Sequence, residues 1–291
     1  MTANSSSRPT RKKFPFSFEN FLTIFAFIFA YGLIEAIYRF IVNPRVELFY
    51  AKDSSPGATS TWIILDGYEQ QLTLVLFFLS LSILFYKFIL VFRERNMLTV
   101  DVIGLGKGSL IHREEASVFA LGMEENLPAD MPPPLSFAFP SLKNSLVFRA
   151  FRKGLDRFND TRERETNEDK DDLGDVREEI SQTISNVCES ELSKLESQLA
   201  MINYIAWAIP SVGFIGTVRG IGAALAKADM VGQEGGLGEV TGALGLAFNS
   251  TLVSLLVSMV LMFLIYVLKR MQEGLVMESE EYCQERLLSH I

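Results

Sequence analysis

Histidine and cysteine are scarce in this chain, which has two of each among 291 residues. His112 and His290 are far apart and lack ligand spacing, while Cys188 and Cys283 belong to no CxxC or Cys/His cluster. This scarcity excludes a Cys/His metal site, and two reduced thiols are expected. No serine sits in a GxSxG elbow and no histidine is placed to activate one, which excludes that hydrolase chemistry. Gly104-Leu105-Gly106-Lys107-Gly108-Ser109 has glycines and a lysine but not the order of a phosphate loop. Glycine follows Lys107, and Asp101 stands where the first glycine is required, so a flexible loop is expected. Neither enzyme chemistry nor a cofactor site emerges.

Charge is missing from long windows and dense in others. The charged share is 21% and the net charge −8, most of it from one acidic stretch. Basic residues flank apolar windows and form no nucleic-acid footprint. A bilayer core needs roughly 20 mostly apolar residues per helix. Four windows meet that length: Phe18–Val42, Gln71–Phe92, about Ala200–Ala226 and about Thr241–Leu268. The first has an apolar core too long for a signal peptide and no small-residue cleavage pattern after it. Its Glu35 lies one turn from Arg39, so a pair between them is expected.

Flanking Lys and Arg set the orientation. Arg8, Arg11, Lys12 and Lys13 place residues 1–17 in the cytoplasm as a tail, and Arg93, Arg95, Lys269 and Arg270 follow the second and fourth windows. The 43–70 and 227–240 loops are more acidic and belong outside. The expectation is an all-α membrane protein with four transmembrane helices, long cytoplasmic helical extensions and both termini inside. Residues 18–92 hold the first pair of spans, 200–268 the second, and 269–291 a C-terminal helix.

Residues 93–199 form the cytoplasmic middle. Met131-Pro132-Pro133-Pro134 and Pro140 break any helix there. Phe151, Leu155 and Phe158 have helical spacing. Asp160–Glu179 is nearly all charged or polar and reads as a solvated helix or mobile segment. Ile180, Ile184, Val187, Leu192, Leu195 and Leu199 then recur near a helical period and run into the third span without a breaker. One long helix leaving the membrane as a stalk is expected.

In the third span, Pro210, Gly213, Thr217, Gly220 and Ala224 share one face, with Gly216 beside them. Small residues there let another helix come close. In the fourth, Asn249, Ser250, Thr251, Ser254 and Ser258 form a polar patch, with Thr251, Ser254 and Ser258 on one face. Leaving Asn249 toward lipid is costly, so the patch is expected to face protein or water. Two such faces form a candidate hydrated path, although neither carries a carboxylate.

The run Ile209-Pro210-Ser211-Val212-Gly213-Phe214-Ile215-Gly216-Thr217-Val218-Arg219-Gly220-Ile221 resembles the P-x-L-G-x-x-G-T-V-x-G-[IM] signature of the MotA/TolQ/ExbB proton-channel family. Ala247–Leu255 (AFNSTLVSL) resembles that family's final pore helix, and the resemblance covers about Leu192–Tyr266. It implies a proton-channel stator subunit of a bacterial inner-membrane ion-driven motor. Five copies would surround two helices of a single-span MotB/TolR/ExbD-like partner, whose membrane aspartate carries the proton. By position, Thr217 and Thr251 match the family's pore threonines, and Pro210 matches the proline that begins its conserved helix. Asn249, Ser250 and Ser254 join the threonines as candidate path residues. Pro210, Gly213, Gly216, Gly220 and Arg219 are the candidate packing and partner-facing set. Two departures stand out: Leu246 occupies the place of a glutamate in ExbB and TolQ, and Arg219 that of a frequent tryptophan. A membrane scaffold or sensor acting through its stalk is the alternative.

Overall fold

The computed structural model describes residues 18–52, 61–98, 144–165, 173–232 and 236–290. The N-terminal basic tail, the Gly104–Ser109 loop, His112 and the Pro132–Pro140 breakers lie outside these residues. The described elements are helical: α1 (Phe18–Ile37), α2 (Asn43–Lys52), α3 (Thr61–Ile64), α4 (Tyr68–Met97), α5 (Leu146–Glu165), α6 (Leu173–Leu225) and α7 (Gly236–Leu288). Four helical stretches are long and apolar enough to cross a membrane: Thr23–Phe49 and the bodies of α4, α6 and α7.

The first apolar helix runs past its expected end at Val42. A π-helical turn, Tyr38–Val42, joins α1 to α2, and the Asn43 N–H donates to the Tyr38 carbonyl. The reason is Pro44, which has no N–H and clashes with the carbonyl one turn back in a regular helix. Widening the turn opens the ladder at that point and lets the helix continue. The expected 43–70 loop therefore contains helix at both ends, α2 and α3. Around them Ile34, Tyr38, Val42, Val46 and Val75 form a small buried cluster, with Trp62 and Leu65 packed on it. The Tyr38 hydroxyl donates to the Leu65 carbonyl at 2.8 Å, and Arg45 stacks on Trp62.

Helices α4, α6 and α7 pack together, and α1 lies against α4. Leu79, Ile83, Leu84, Ile202, Ile209, Leu261 and Ile265 fill the space between them. The long α6 holds the stalk and the third span in one unbroken helix, as the uninterrupted apolar stripe predicts. Its partner α7 is equally long and also runs on beyond the apolar window. These extensions define a stalk end, and the short 225–236 connection defines a hairpin end.

At the stalk end α5 docks on α6 and α7. It extends beyond the expected Phe151–Phe158 in both directions, and at its start Ser145 caps it, accepting from the Phe148 N–H at 3.2 Å. Glu94, at the end of α4, accepts from the Leu146 N–H at 3.3 Å. Phe151, Leu155 and Phe158 are buried with Ile180, Ile184 and Leu287. Arg149 reaches Glu191 at 2.6 Å. Burial pushes the Glu191 carboxyl up, but the bond and charge of Arg149, with Lys194, outweigh it and hold the group below its usual range. The charged Asp160–Glu179 stretch is helical at both of its described ends, and Glu179 pairs with Arg157, which precedes the stretch.

Cys188 and Cys283 are free, fully buried and part of this same cluster. Burial, helped by nearby Glu280, pushes the Cys188 thiol up to about 11. Burial raises Cys283 in the same way. Both thiols are neutral at physiological pH and serve as packing groups.

Truncating Phe151 tests how far α5 depends on this cluster. Phe151→Ala should destabilise it by about 3–5 kcal/mol, the usual cost of emptying a buried aromatic site. Limited proteolysis should then cut α5 faster while the apolar bodies of α4, α6 and α7 stay protected. Unchanged cleavage would show that α5 is held by its ion pairs and caps.

Candidate functional site: the glycine–serine seam between α6 and α7

The two longest helices meet along their small residues. A Cβ on Gly213 would lie 2.7 Å from the Ser254 Cβ and 3.1 Å from the Ser250 carbonyl oxygen. On Gly216 it would lie 2.9 Å from the Ser250 Cβ, and on Gly220 3.0 Å from the Ala247 Cα. Only glycine permits these approaches, because real Cβ contacts essentially never fall below about 3 Å. The glycine face expected from sequence is thus spent on α7 of the same chain.

That contact also fixes where the hydroxyls go. Ser250 and Ser254 are buried inside the seam. Ser250 donates to helix carbonyls at Ala247 (2.8 Å) and Gly213 (3.2 Å), and Ser254 to Thr251 (3.0 Å). Back-bonding of this kind is how hydroxyls are tolerated in apolar helices. Thr217 and Thr251 instead sit half-buried at the seam's edge, with their hydroxyls in direct contact. Thr217 also reaches the Gly213 and Ala247 carbonyls at 3.2 and 3.3 Å, and Thr251 reaches Gly213 at 3.0 Å. The Gly213 carbonyl is therefore shared by hydroxyls from both helices.

Further toward the stalk end, Pro210 lies inside α6 without breaking it. A proline at this position leaves the Ala206 carbonyl without its helical donor. The Ser258 hydroxyl supplies one, donating to Ala206 at 3.1 Å from a buried position. In an apolar surround an unsatisfied carbonyl costs several kcal/mol, so this bond lets the proline stay. Its role was not visible in the sequence, where Ser258 is one more hydroxyl in the patch.

Four expectations change. The facing small residues do not enclose a path within one chain; they pack directly, and the open side of the seam is the threonine edge. Asn249 does not share that edge, since two residues on a helix differ by about 200° of rotation. It is buried on the other flank, and its Nδ2 has no partner. Arg219 finds a partner within the chain, pairing with Glu69 of α4 at 2.9 Å while its side chain stays 62% exposed. Glu35 likewise accepts from Gln71 of α4 at 2.6 Å in place of pairing with Arg39. The sequence gives no signal for Glu69, which falls just outside the second apolar window.

Residues 143–281 match the MotA/TolQ/ExbB proton channel family. The similarity to that family covers just under half of the 291 residues. The match begins well before the expected Leu192 and takes in α5, so the docked helix is part of the family region and not an addition to it. Neither the curated proteins nor the solved structures gave a match. The family match and the four apolar helices together indicate a multi-pass membrane protein. The family is one of proton channels, not an enzyme class, and its members work with a partner of the MotB/ExbD/TolR kind.

The seam of this MotA/TolQ/ExbB region makes a direct prediction. Gly213→Ala should push α6 from α7 and cost about 1–3 kcal/mol, the range for overpacking. Gly274→Ala, with nothing within 4 Å of the new methyl, should instead gain about 0.5–1 kcal/mol. Thermal unfolding of both variants in one detergent measures the contrast, and equal stabilities would remove the glycine-dependent contact.

Proposed function

We propose that the chain is the proton-channel stator subunit of a bacterial inner-membrane motor. It couples the proton motive force to movement of a single-span MotB/TolR/ExbD-like partner carrying a membrane aspartate. The observation that carries this reading is the Thr217–Thr251 hydroxyl pair. It lies half-buried on the open edge of a tight two-helix seam, within the family region. The seam fixes the hydroxyls in place, while the partner supplies the carboxylate that neither helix has. Each proton driven through is worth about 2.3 kcal/mol per 100 mV of membrane potential.

In this reading five copies surround two partner helices and turn their threonine edges inward. Pro210 stands near the cytoplasmic end of the path. The hairpin end faces outward. Both termini, residues 93–199 and the C-terminal extension lie in the cytoplasm. The exposed apolar rows of α6 (Phe214, Ile215, Val218) and α7 (Leu252, Leu255, Met259) meet neighbouring copies or lipid. Ser250 and Ser254 support the path from behind as packing groups, and Asn249 belongs to the flank away from it.

Valine keeps the shape of threonine and deletes the hydroxyl, which separates path chemistry from packing. Thr217→Val and Thr251→Val should each lower proton flux by roughly tenfold, on the order of one positioned hydrogen bond. The variants should assemble with the partner at unchanged mass. Flux is read as dye quenching in proteoliposomes of the co-purified complex. Wild-type flux in both variants would remove the pore-lining assignment.

A further inference from the structure

Glu69 packs directly on the family motif. A Cβ on Gly216 would lie 3.0 Å from the Glu69 Cγ, so the side chain rests against the backbone next to Thr217. Its carboxylate takes Arg219 at 2.9 Å, two residues beyond Thr217, with the Glu69 side chain only 13% exposed. Glu69 also stands in the first turn of α4, where the helix dipole favours a negative charge. Gly216 thus receives Ser250 from α7 and Glu69 from α4 on one flank, while Thr217 lies about 100° further round the helix. A largely buried carboxylate beside an apolar bundle is costly unless satisfied, and Arg219, its side chain 62% exposed, satisfies it from the surface.

From this arrangement we infer that Glu69 and Arg219 are positioning residues for Thr217. Their ion pair latches α4 to α6 at the hairpin end and presses the motif helix into Ser250, which holds Thr217 against Thr251. The latch acts through the seam and handles no proton itself. This inference rests on the proton-channel reading for its consequence in flux, and on geometry alone for the latch.

The test uses the complex with its single-span partner and three variants: Glu69→Gln, Arg219→Gln, and the exchange Glu69→Arg with Arg219→Glu. Two readouts are taken, proton flux in proteoliposomes and the distance between spin labels at Leu72 of α4 and Val218 of α6, both exposed. Each single variant should widen the distance distribution and lower flux by at least roughly fivefold, the lower end of ordinary coupling between sites. The exchange should restore both, because a latch needs opposite charges and not a particular order. Distances unchanged in the single variants overturn the latch. Flux lost in Glu69→Gln and not restored by the exchange, with distances normal, overturns the positioning role and makes Glu69 a proton-handling group. If the wild-type complex passes no protons, the channel reading fails, and the distances alone decide the latch.

Discussion

At Gly213 two helices, each 53 residues long, come close enough for hydroxyls of both to share one carbonyl oxygen. Between membrane helices there is little hydrophobic drive, since lipid tails are as apolar as leucine. What holds α6 to α7 in the apolar region is close packing over Gly213, Gly216 and Gly220, together with the hydrogen bonds that this closeness permits. The rest of the seam follows. With glycine on one side, Ser250 and Ser254 fit inside, and the larger threonines are left at the edge. A candidate path is thereby built from the outside of a tight joint and not from a gap within it.

The same logic explains several of the polar groups set in apolar helices. Pro210 removes a backbone donor and Ser258 provides one to Ala206. Arg219 is matched by Glu69, Glu35 by Gln71, and Lys87 of α4 by Gln198 of α6 at 2.8 Å. In lipid each such group must be satisfied within the protein, so every pairing also fixes how two helices sit against each other. Three of the four pairings anchor α4, tying it to α1 at Glu35 and to α6 at Arg219 and Gln198.

Much of this was legible in the sequence, for identifiable reasons. The four apolar windows appear as helices because window length and composition are set by the bilayer itself. The stalk continued into the third span because no breaker interrupts Ile180 to Leu199. The stripe of α5 was visible because Phe151, Leu155 and Phe158 keep one helical face. What stayed hidden depends on partners distant in sequence. Nothing local ties Glu69 to Arg219, 150 residues away, or Ser258 to Ala206. Asn249 and Thr251 look like one patch when read along the chain, yet helical rotation sends them to opposite flanks. The first apolar window stops at Val42, and the π-turn there lets the helix run on past Pro44.

In the proposed motor, one chain supplies the hydroxyl-lined wall and a second protein supplies the proton-carrying acid. Native mass measurement of this protein co-expressed with a single-span, aspartate-bearing partner and extracted in mild detergent tests this arrangement most directly. Five copies holding two partner chains are expected. A stable monomer or dimer without partner, seen across several detergents, would contradict it and leave the glycine–serine seam as helix packing alone.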